Sequence, residues 1–363
     1  MKLNIGVIIG GPSPEHDISI LTGLQVGRIL EEKHKISILY WSKDNKWYLN
    51  NTDLEGEDFL DAKKVKKNSI NIQINDDSGF YFKKKKVQLD VLVNTCHGGP
   101  GEDGTLQRLL DMINIPYTGP SSSLAEICMD KYLFTLLLKN NNLPVLDRVL
   151  LQGNTESINL KPPYILKPRF GGSSIGVEVV KDINTAKALI NNSNIYSRGA
   201  IIEEYLQGSE DYLIAAFGYP NLHFSEIEKP LRDQDSSVIY NYEDKYLRNG
   251  GLEGSSRELP AQITEKEEKT ILSLTKQVIQ SIGIRGVYRI DFLKKNSSIY
   301  INEVNSIPGS LSTYLWKNTG ISKFTIIENI VQEALSESKN IWNEEGSDGE
   351  ALVKAKDIES KLG

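Results

Sequence analysis

The sequence predicts an α/β protein of two or three packed lobes, the first of which contains a parallel sheet. Two apolar runs, residues 3–9 and 87–96, each lead into a Gly-Gly turn that precedes a helical pattern. Strand, glycine turn and helix repeated in this order are typical of a parallel α/β sheet. Single hydrophobic cores stop growing at about 250–300 residues. The chain has 363 residues, so we expect more than one lobe.

Composition and charge narrow the function classes. Hydrophobic residues make up 39% and charged residues 25%, an ordinary balance for a globular protein. The formal net charge of −6 argues against a nucleic-acid partner. No apolar run is long enough to span a membrane, and the first residues indicate a strand instead of a signal peptide, so we expect a cytoplasmic location. Cys96 and Cys128 are interpreted as buried hydrophobic residues, with a thiol nucleophile at Cys96 as the less favoured alternative.

The N-terminal lobe is assigned to residues 1–120. Ser13 is predicted to cap a helix that has Pro14 at its first position and reaches about Glu32. Residues 42–86 are polar and β-leaning, and we interpret them as an excursion from this lobe. The four lysines at 83–86 favour an exposed strand edge over a basic binding patch. The remaining predicted elements are a strand over 34–41 and a helix over 105–112.

Two further lobes and a tail follow. The central lobe, 121–206, is predicted to contain one serine-capped helix over 121–140 and strands at 164–167, 177–180 and 200–205. The C-terminal lobe, 207–342, is predicted to contain a polar loop at 228–258, a helix at 264–281, a hairpin of 287–293 and 298–305, and a helix at 322–342. The charged tail, 343–363, is predicted to be disordered or loosely helical.

The predicted hairpin carries oxygen ligands and a cation. Residues i and i+2 of a strand share a face, so Arg289 lies with Asp291, and Glu303 with Asn305. All four gather on one surface if Asp291 stands opposite residue 301. Such oxygen ligands suit Mg²⁺ held together with phosphates, and Arg289 could stabilise developing charge. A solvated strand face with a salt bridge fits the same spacing equally well.

A glycine-rich loop and a polar loop are candidate nucleotide and substrate contacts. Lys167 ends a strand and leads into a loop of glycines and serines, residues 171–176, whose donors can close over phosphates. It lacks the order of the Walker motif, and an ordinary turn is the alternative. Residues 201–210 indicate an inter-lobe segment able to bind a purine. Lys245 and Tyr246 lie in a polar loop predicted to cover an active site, and a plain surface loop is the alternative.

Taken together, motifs in order from Gly10 to Gly309 resemble the D-alanine–D-alanine ligase family of ATP-grasp enzymes. The motifs are GGPSPEHDIS from Gly10, HGGPGEDGTLQ from His97, PYTG from Pro116, MDK ending at Lys131, KPRFGGSSIG from Lys167, YEDKY from Tyr242, RIDF from Arg289 and NEVNSIPG ending at Gly309. The resemblance implies a three-lobed ATP-grasp fold. It also implies ATP, a pair of Mg²⁺ ions that Mn²⁺ can replace, and a homodimer without nucleic-acid or membrane partners.

The resemblance also implies residue roles. ATP would be bound by Lys131, Lys167, Ser173, Ser174, Glu203, Leu206 and Glu210, and the metal ions by Asp291, Glu303 and Asn305. The amino-acid substrates would be bound by Glu15, His97, Lys245, Tyr246, Arg289, Tyr314 and Leu315. The catalytic set would be Glu15, Ser173 and Tyr246 as a hydrogen-bonded group, with Arg289 and the Gly309 backbone N–H at the tetrahedral intermediate.

The implied reaction is an ADP-forming ligation of two D-alanines through an acyl phosphate, for peptidoglycan precursor synthesis.

Two positions depart from the family. Tyr314 stands where the family has a serine that contacts the second substrate, and Arg108 follows Gln107 where the family usually has glycine. Tyr314 motivates an alternative acceptor, such as D-serine, D-lactate or another amino acid. A nucleotide-binding protein without ligase activity is a further alternative.

Overall fold

The computed structural model describes residues 2–155, 157–231 and 256–337, together with 345–346, 349–355, 357 and 359 of the tail. Three larger sheets dominate it: one of seven strands and two of four, with a small two-stranded ribbon. Each of the three larger sheets is confined to one of the predicted lobes. The α/β class predicted from the sequence is confirmed.

The seven-stranded sheet has the order β6-β5-β4-β3-β2-β1-β7. Its strands are β1 Asn4–Gly10, β2 Lys35–Trp41, β3 Trp47–Asn50, β4 Ser69–Gln73, β5 Gly79–Phe82, β6 Lys85–Lys86 and β7 Val91–Asn94. β1 is parallel to both β2 and β7, as predicted. The segment 42–86 extends this sheet by antiparallel strands instead of leaving it. β6 is the outermost strand, which confirms that lysines lie at an exposed edge.

The first helix begins later than the sequence predicted. It spans His16–Glu31, and its N-cap is Glu15, which makes no side-chain cap. The Ser13 hydroxyl instead accepts from the Glu15 backbone N–H at 3.1 Å and donates to the His97 carbonyl at 2.7 Å. Ser13 therefore ties the end of β1 to the loop after β7, and this contact displaces the predicted cap.

The helix predicted over 121–140 is two helices, Ser122–Met129 and Lys131–Asn140. Asp130 lies between them with ψ 96°, and its carboxylate accepts from the backbone N–H groups of Tyr132 and Leu133. The same carboxylate receives Arg169 Nη2 at 2.6 Å. An aspartate N-cap with a cation partner ends one helix and starts the next, so Lys131 stands at the head of a helix.

The two four-stranded sheets follow in chain order. One has the order β10-β9-β11-β8, with β8 Arg148–Leu151, β9 Tyr164–Pro168, β10 Glu178–Val180 and β11 Ala200–Glu204. The other has the order β13-β12-β16-β17, with β12 Glu210–Phe217, β13 His223–Phe224, β16 Val287–Lys295 and β17 Ser298–Asn305. The ribbon pairs β14 Lys229–Pro230 with β15 Arg257–Glu258.

The remaining described helices are distributed over the three lobes and the tail. They are Ala62–Val65, Gly99–Glu102, Thr105–Ile113, Ile183–Asn192, Glu265–Ile282, Lys323–Ser336 and Glu350–Lys354, with 3-10 segments at Gly56–Leu60, Asn194–Tyr196 and Gly309–Trp316. The helix predicted over 322–342 has Ser322 as its N-cap, and residues 338–344 lie outside the described part. Among the described residues, none of the helices has the length and apolar character needed to cross a membrane.

The hydrophobic cores cross the predicted lobe boundaries. Phe134 and Leu138, from the segment assigned to the central lobe, pack with Tyr212 and Phe292 of the C-terminal sheet. Residues of β1 share another core with the last long helix and with Trp316. Helix 131–140 thus belongs by packing to the C-terminal lobe, and the central sheet with the helix Ile183–Asn192 has a small core of its own.

Candidate active site

A cleft is lined by residues of both four-stranded sheets. The central sheet contributes Lys167 and Glu203, and the C-terminal sheet contributes Arg289, Asp291 and Glu303. Ser174 and Leu206, both predicted nucleotide contacts, also line it. A second cavity continues from this cleft toward the N-terminal lobe and shares Lys131, Arg289 and Glu303 with it.

The hairpin gathers the predicted metal ligands on one face, but not by the predicted register. Asp291 stands opposite Glu303, and Arg289 opposite Asn305, with a bulge after Asp291. The prediction of residue 301 opposite Asp291 was wrong by two residues. Because side chains alternate with a period of two, this displacement leaves the four side chains on a common face.

Arg289 and Asp291 form a buried bidentate pair. Arg289 Nε lies 2.7 Å from Asp291 Oδ1, and Nη2 lies 2.9 Å from Oδ2. Asn305 Nδ2 donates to Asp291 Oδ2 at 3.3 Å. A guanidinium fork on a carboxylate is a strong and directional contact, so the pair holds both groups at the cleft wall.

Two lysines lie beside the glycine-rich loop. The Lys131 ammonium donates to the Gly171 carbonyl, and burial lowers its pKa. Lys167 Nζ lies 2.5 Å from Glu203 Oε1 and donates to Asn302 Oδ1 at 3.3 Å. Both cations are therefore placed beside the loop that the sequence predicted to close over phosphates.

Glu203 is held by two cations inside the cleft. Arg148 Nε lies 2.8 Å from Glu203 Oε2, on the side opposite Lys167. Burial alone would raise the pKa of Glu203, but the charges of Lys167 and Arg148 outweigh it and lower the pKa to about 2. Sequence reasoning missed Arg148, because a single arginine at the start of a strand carries no motif.

Glu210 departs from its predicted position at the nucleotide. Its carboxylate pairs with Lys229 and lies 3.4 Å from Lys294, and it does not line the cleft. Its neighbours Ser209 and Asp211 do line it. Successive strand residues face opposite sides, so Glu210 at the start of β12 points away when Asp211 points in.

The cavity toward the N-terminal lobe brings together Glu15, His97, Ser173, Arg289 and Gly309. The Ser173 hydroxyl donates to Glu15 Oε1, so the glycine-rich loop contacts the first lobe. Ser173 has a φ of 53°, a left-handed conformation that is uncommon for a residue with a side chain. Five residues predicted for substrate binding or catalysis thus line one space.

His97 is held as a neutral imidazole. Its Nδ1–H donates to the Ile307 carbonyl at 2.7 Å, which leaves Nε2 to accept from the Thr22 hydroxyl at 2.9 Å. Thr22 in turn accepts from the Ser310 backbone N–H at 3.1 Å. Burial lowers the pKa of His97, in keeping with the neutral form.

Glu102 is a buried carboxyl group whose role the sequence did not predict, although its motif was recognised. It accepts from the Gly98 N–H at 2.9 Å and from the Ile307 N–H at 3.1 Å. Burial raises its pKa to about 7. The two N–H groups belong to the loop after β7 and to the loop before Gly309, so one carboxylate joins the two loops.

Tyr314 lines the cleft, but its hydroxyl proton is committed to a neighbour. It donates to Glu228 Oε2 at 2.9 Å, and the Arg257 guanidinium lies 4.7 Å from its ring centroid. Glu228 lies in register with Leu213, which is itself opposite Asp291, so Glu228 shares the face of the metal-ligand residues. The Tyr314 hydroxyl therefore donates to Glu228, and Tyr314 forms part of the cleft wall.

Three further predictions have distinct outcomes. Leu315 is fully buried in the core beneath the cleft, so its side chain is not available to a substrate. Lys245 and Tyr246 lie outside the described residues. Cys96 and Cys128 are buried, as predicted, and burial raises the pKa of Cys96 to about 12.

Family comparisons agree with this arrangement. The model described as the D-ala D-ala ligase N-terminus matches residues 4–120, and the model described as the D-ala D-ala ligase C-terminus matches residues 138–332. The chain belongs to the D-alanine–D-alanine ligase family. The glycine-rich loop, the metal-ligand hairpin and the His97 loop all lie within the matched ranges.

Relatives in this ligase family match nearly the whole chain. A D-alanine–D-alanine ligase of Thermosipho africanus is 34% identical, with 93% of this chain and 95% of the relative covered. The crystal structure of the Helicobacter pylori D-alanine–D-alanine ligase superposes with a TM-score of 0.73 at 27% identity, covering 91% of this chain and 99% of that one. An Enterococcus faecalis D-Ala:D-Ser ligase, with a TM-score of 0.75, 24% identity and coverage of 92% and 100%, shares the ATP-grasp fold.

Proposed function

We propose that this chain uses ATP to join two D-alanine molecules into D-alanyl-D-alanine through an acyl phosphate, a step of peptidoglycan precursor synthesis. The single observation that supports it most is the meeting of Lys131, Lys167, Arg289, Asp291 and Glu303 around one cleft. Family membership supports the ATP-dependent ligation, and the relatives' names support D-alanine as the substrate.

For the metal, we propose Asp291, Glu303 and Asn305 as ligands. Two carboxylates stand directly opposite each other on the hairpin, and the Asn305 amide is two residues further along β17, so the hard oxygen donors share one face. This donor set fits Mg²⁺ or Mn²⁺ held together with phosphate oxygens. Within the described part of the chain, no group of three or more His, Cys, Asp or Glu side chains is arranged to hold a metal. Bound there, Mg²⁺ supplies charge neutralisation at the transferring phosphoryl group.

Residues of the chain would assist two successive steps, the formation of the acyl phosphate and the attack of the second D-alanine on it. Lys131 and Lys167 bind phosphates while an oxygen of the first D-alanine carboxylate bonds to the γ-phosphorus and ADP leaves. Glu15, held by Ser173, binds the ammonium group of that D-alanine. The second D-alanine, having lost a proton from its ammonium group, attacks the acyl carbon, and phosphate leaves. Arg289 and the Gly309 N–H stabilise the oxyanion that forms there.

The remaining roles in the proposal rest on the family resemblance. Lys245 would bind the carboxylate of the second substrate, and Tyr246 would complete the group of Glu15 and Ser173. Ser174 and Leu206 would contact the nucleotide, which their place in the cleft wall supports. We also propose that the protein is cytoplasmic and forms a homodimer. Size-exclusion chromatography with light scattering tests the homodimer directly.

The testing experiment is ADP release from Mg²⁺-ATP over a panel of D- and L-amino acids and D-lactate, with product masses recorded. We expect turnover with D-alanine alone and the mass of the dipeptide. Turnover only with another acceptor would overturn the D-alanine assignment and retain the ligase chemistry. ATP binding without ADP release under every amino acid would overturn the ligase proposal itself.

A further inference from the structure

Arg148 lines the cavity toward the N-terminal lobe and has no predicted role. It begins β8, directly opposite Glu203 of β11, and its side chain is only 2% exposed. Its guanidinium contacts Glu203 Oε2 at 2.8 Å, the Lys131 carbonyl at 3.3 Å and the Thr135 hydroxyl at 3.2 Å. It also donates to the carbonyl and the Oδ1 of Asn302, at 2.7 and 3.1 Å. One side chain thus joins the central sheet, a helix and the C-terminal sheet.

The contacts of Arg148 determine how strongly Glu203 holds the Lys167 ammonium group. Glu203 Oε1 pairs with Lys167 and Oε2 pairs with Arg148, so the buried carboxylate shares its charge between two cations. A buried carboxylate that loses one of two cation partners holds the remaining one more tightly. Without Arg148, Lys167 would have to compensate Glu203 alone, and its ammonium would be less available to a phosphate.

Arg148 also fixes the spacing of the groups around that position. Lys131, whose carbonyl it holds, stands at the head of its helix with the ammonium at the glycine-rich loop. Asn302, which it holds twice, directly precedes Glu303 in β17. A fork with several donors in fixed geometry constrains such neighbours far better than a point charge does.

We propose that Arg148 is a positioning residue for the phosphate end of the nucleotide. It takes up charge of Glu203 so that Lys167 can turn to the phosphates, and it holds Lys131 and the Asn302–Glu303 segment at a fixed separation. This inference rests on the proposed function, since it concerns the ATP of the same reaction. Arg148 acts through its neighbours and is not assigned a contact with the nucleotide.

The test compares nucleotide affinities by calorimetry, with Mg²⁺ and the non-hydrolysable adenosine 5′-(β,γ-imido)triphosphate as one probe and AMP as the other. Arg148→Met should weaken binding of the triphosphate by roughly tenfold or more, the scale of a lost charge-assisted contact. Binding of AMP should change much less, because AMP lacks two of the three phosphates on which Lys131 and Lys167 are proposed to act. A merely structural role would weaken both probes equally, and that result would overturn the proposal.

A second pair of variants separates charge from packing. In the double variant Arg148→Met with Glu203→Gln, the carboxylate that holds Lys167 is gone, so the ratio of triphosphate affinity to AMP affinity should recover relative to Arg148→Met alone. Arg148→Lys, which keeps the charge but not the fork, should lie between the wild type and Arg148→Met and covers the case in which the methionine variant fails to fold. Absence of recovery in the double variant would contradict the role of Lys167.

The matched control is Arg28→Met. Arg28 also makes several hydrogen bonds, to Thr52, Leu54 and Glu55, but it lies in the N-terminal lobe outside both cavities. Its substitution should leave both affinities unchanged. If the wild type itself binds no triphosphate, the proposed function fails. If the wild type binds and Arg148→Met binds equally well, only the inference about Arg148 fails.

Discussion

Asp291 interacts with several residues of the candidate site. It pairs with Arg289 through both oxygens, accepts from Asn305 and stands opposite Glu303. Replacing it with Asn keeps the size and removes a full charge from the proposed metal site. Asp291→Asn should therefore lower the turnover rate by about 100-fold or more. Circular dichroism and thermal unfolding should show that the variant is folded.

The control for this substitution is Asp53→Asn, in the 42–86 segment of the first lobe, where the exposed carboxylate accepts from the Asn51 amide. It should retain wild-type turnover. Near-normal turnover of Asp291→Asn would refute the metal-ligand assignment. A titration of activity with Mg²⁺ adds a second readout, because loss of a ligand should raise the Mg²⁺ concentration that is needed.

Tyr314 gives a second prediction for a single residue. Tyr314→Phe keeps the ring beside Arg257 and removes the donor to the buried Glu228, a loss of about 1–3 kcal/mol of stability. Because the family resemblance places Tyr314 beside the second substrate, the KM for the second D-alanine should rise more than the KM for ATP. Initial-rate kinetics with each substrate varied in turn make this comparison. Equal changes in both KM values would mean that Tyr314 does not border the acceptor.

Glu102 makes stability depend on pH in a definite direction. Burial raises its pKa from 4.5 to about 7, so the folded state favours the protonated form. Its contribution is fully present below pH 4.5 and is lost as the pH rises through about 7. Relative to Glu102→Gln, the wild type should therefore lose up to about 3 kcal/mol of unfolding free energy over this window. Urea unfolding of both proteins at pH 5, 6, 7 and 8 measures it, and parallel curves would contradict it.

At the scale of elements, Asp130 determines where one helix stops and the next begins. Its carboxylate caps helix 131–140 and pairs with Arg169, whose backbone carbonyl accepts from the Lys131 N–H. Asp130→Ala should cost about 2–3 kcal/mol, since a buried ion pair is lost together with the cap. Ser322→Ala, which removes only a cap from the last long helix, should cost about 1 kcal/mol. Equal losses in urea unfolding would show that the pair with Arg169 contributes nothing.

The same elements show why some sequence predictions succeeded. Strands β1, β2, β9, β10, β11, β16 and β17 and the helices 105–113 and 265–282 were predicted to within a few residues, whereas β8 and β12 were given no predicted bounds. The break at Asp130 was missed because residues 121–140 read as one continuous helical pattern. The partner that stabilises the break, Arg169, lies 39 residues away and is brought close only by the fold.

At the scale of the whole molecule, the described residues include two polar contacts between the central sheet region and the N-terminal lobe. One is the Ser173–Glu15 hydrogen bond, and the other is the ion pair of Arg198 with Asp103 at 2.7 Å. Arg198→Ala should loosen the central region relative to the first lobe. Hydrogen exchange should then become faster in residues 171–176, with little change in β1 and β7. Unchanged exchange in the loop would mean that Arg198 does not help to hold it.

What the sequence by itself determined is the family, the α/β class and most of the residues that meet in the cleft, because short motifs constrain local backbone and chemistry. What only the tertiary structure decided is the pairing between them. Residues that are distant in the chain determine the hairpin register, the hydrogen bond from Tyr314 to Glu228, and the positions of Arg148 and Glu102. The physical reason is that burial and long-range hydrogen bonding set these partners, and neither leaves a local pattern in the sequence.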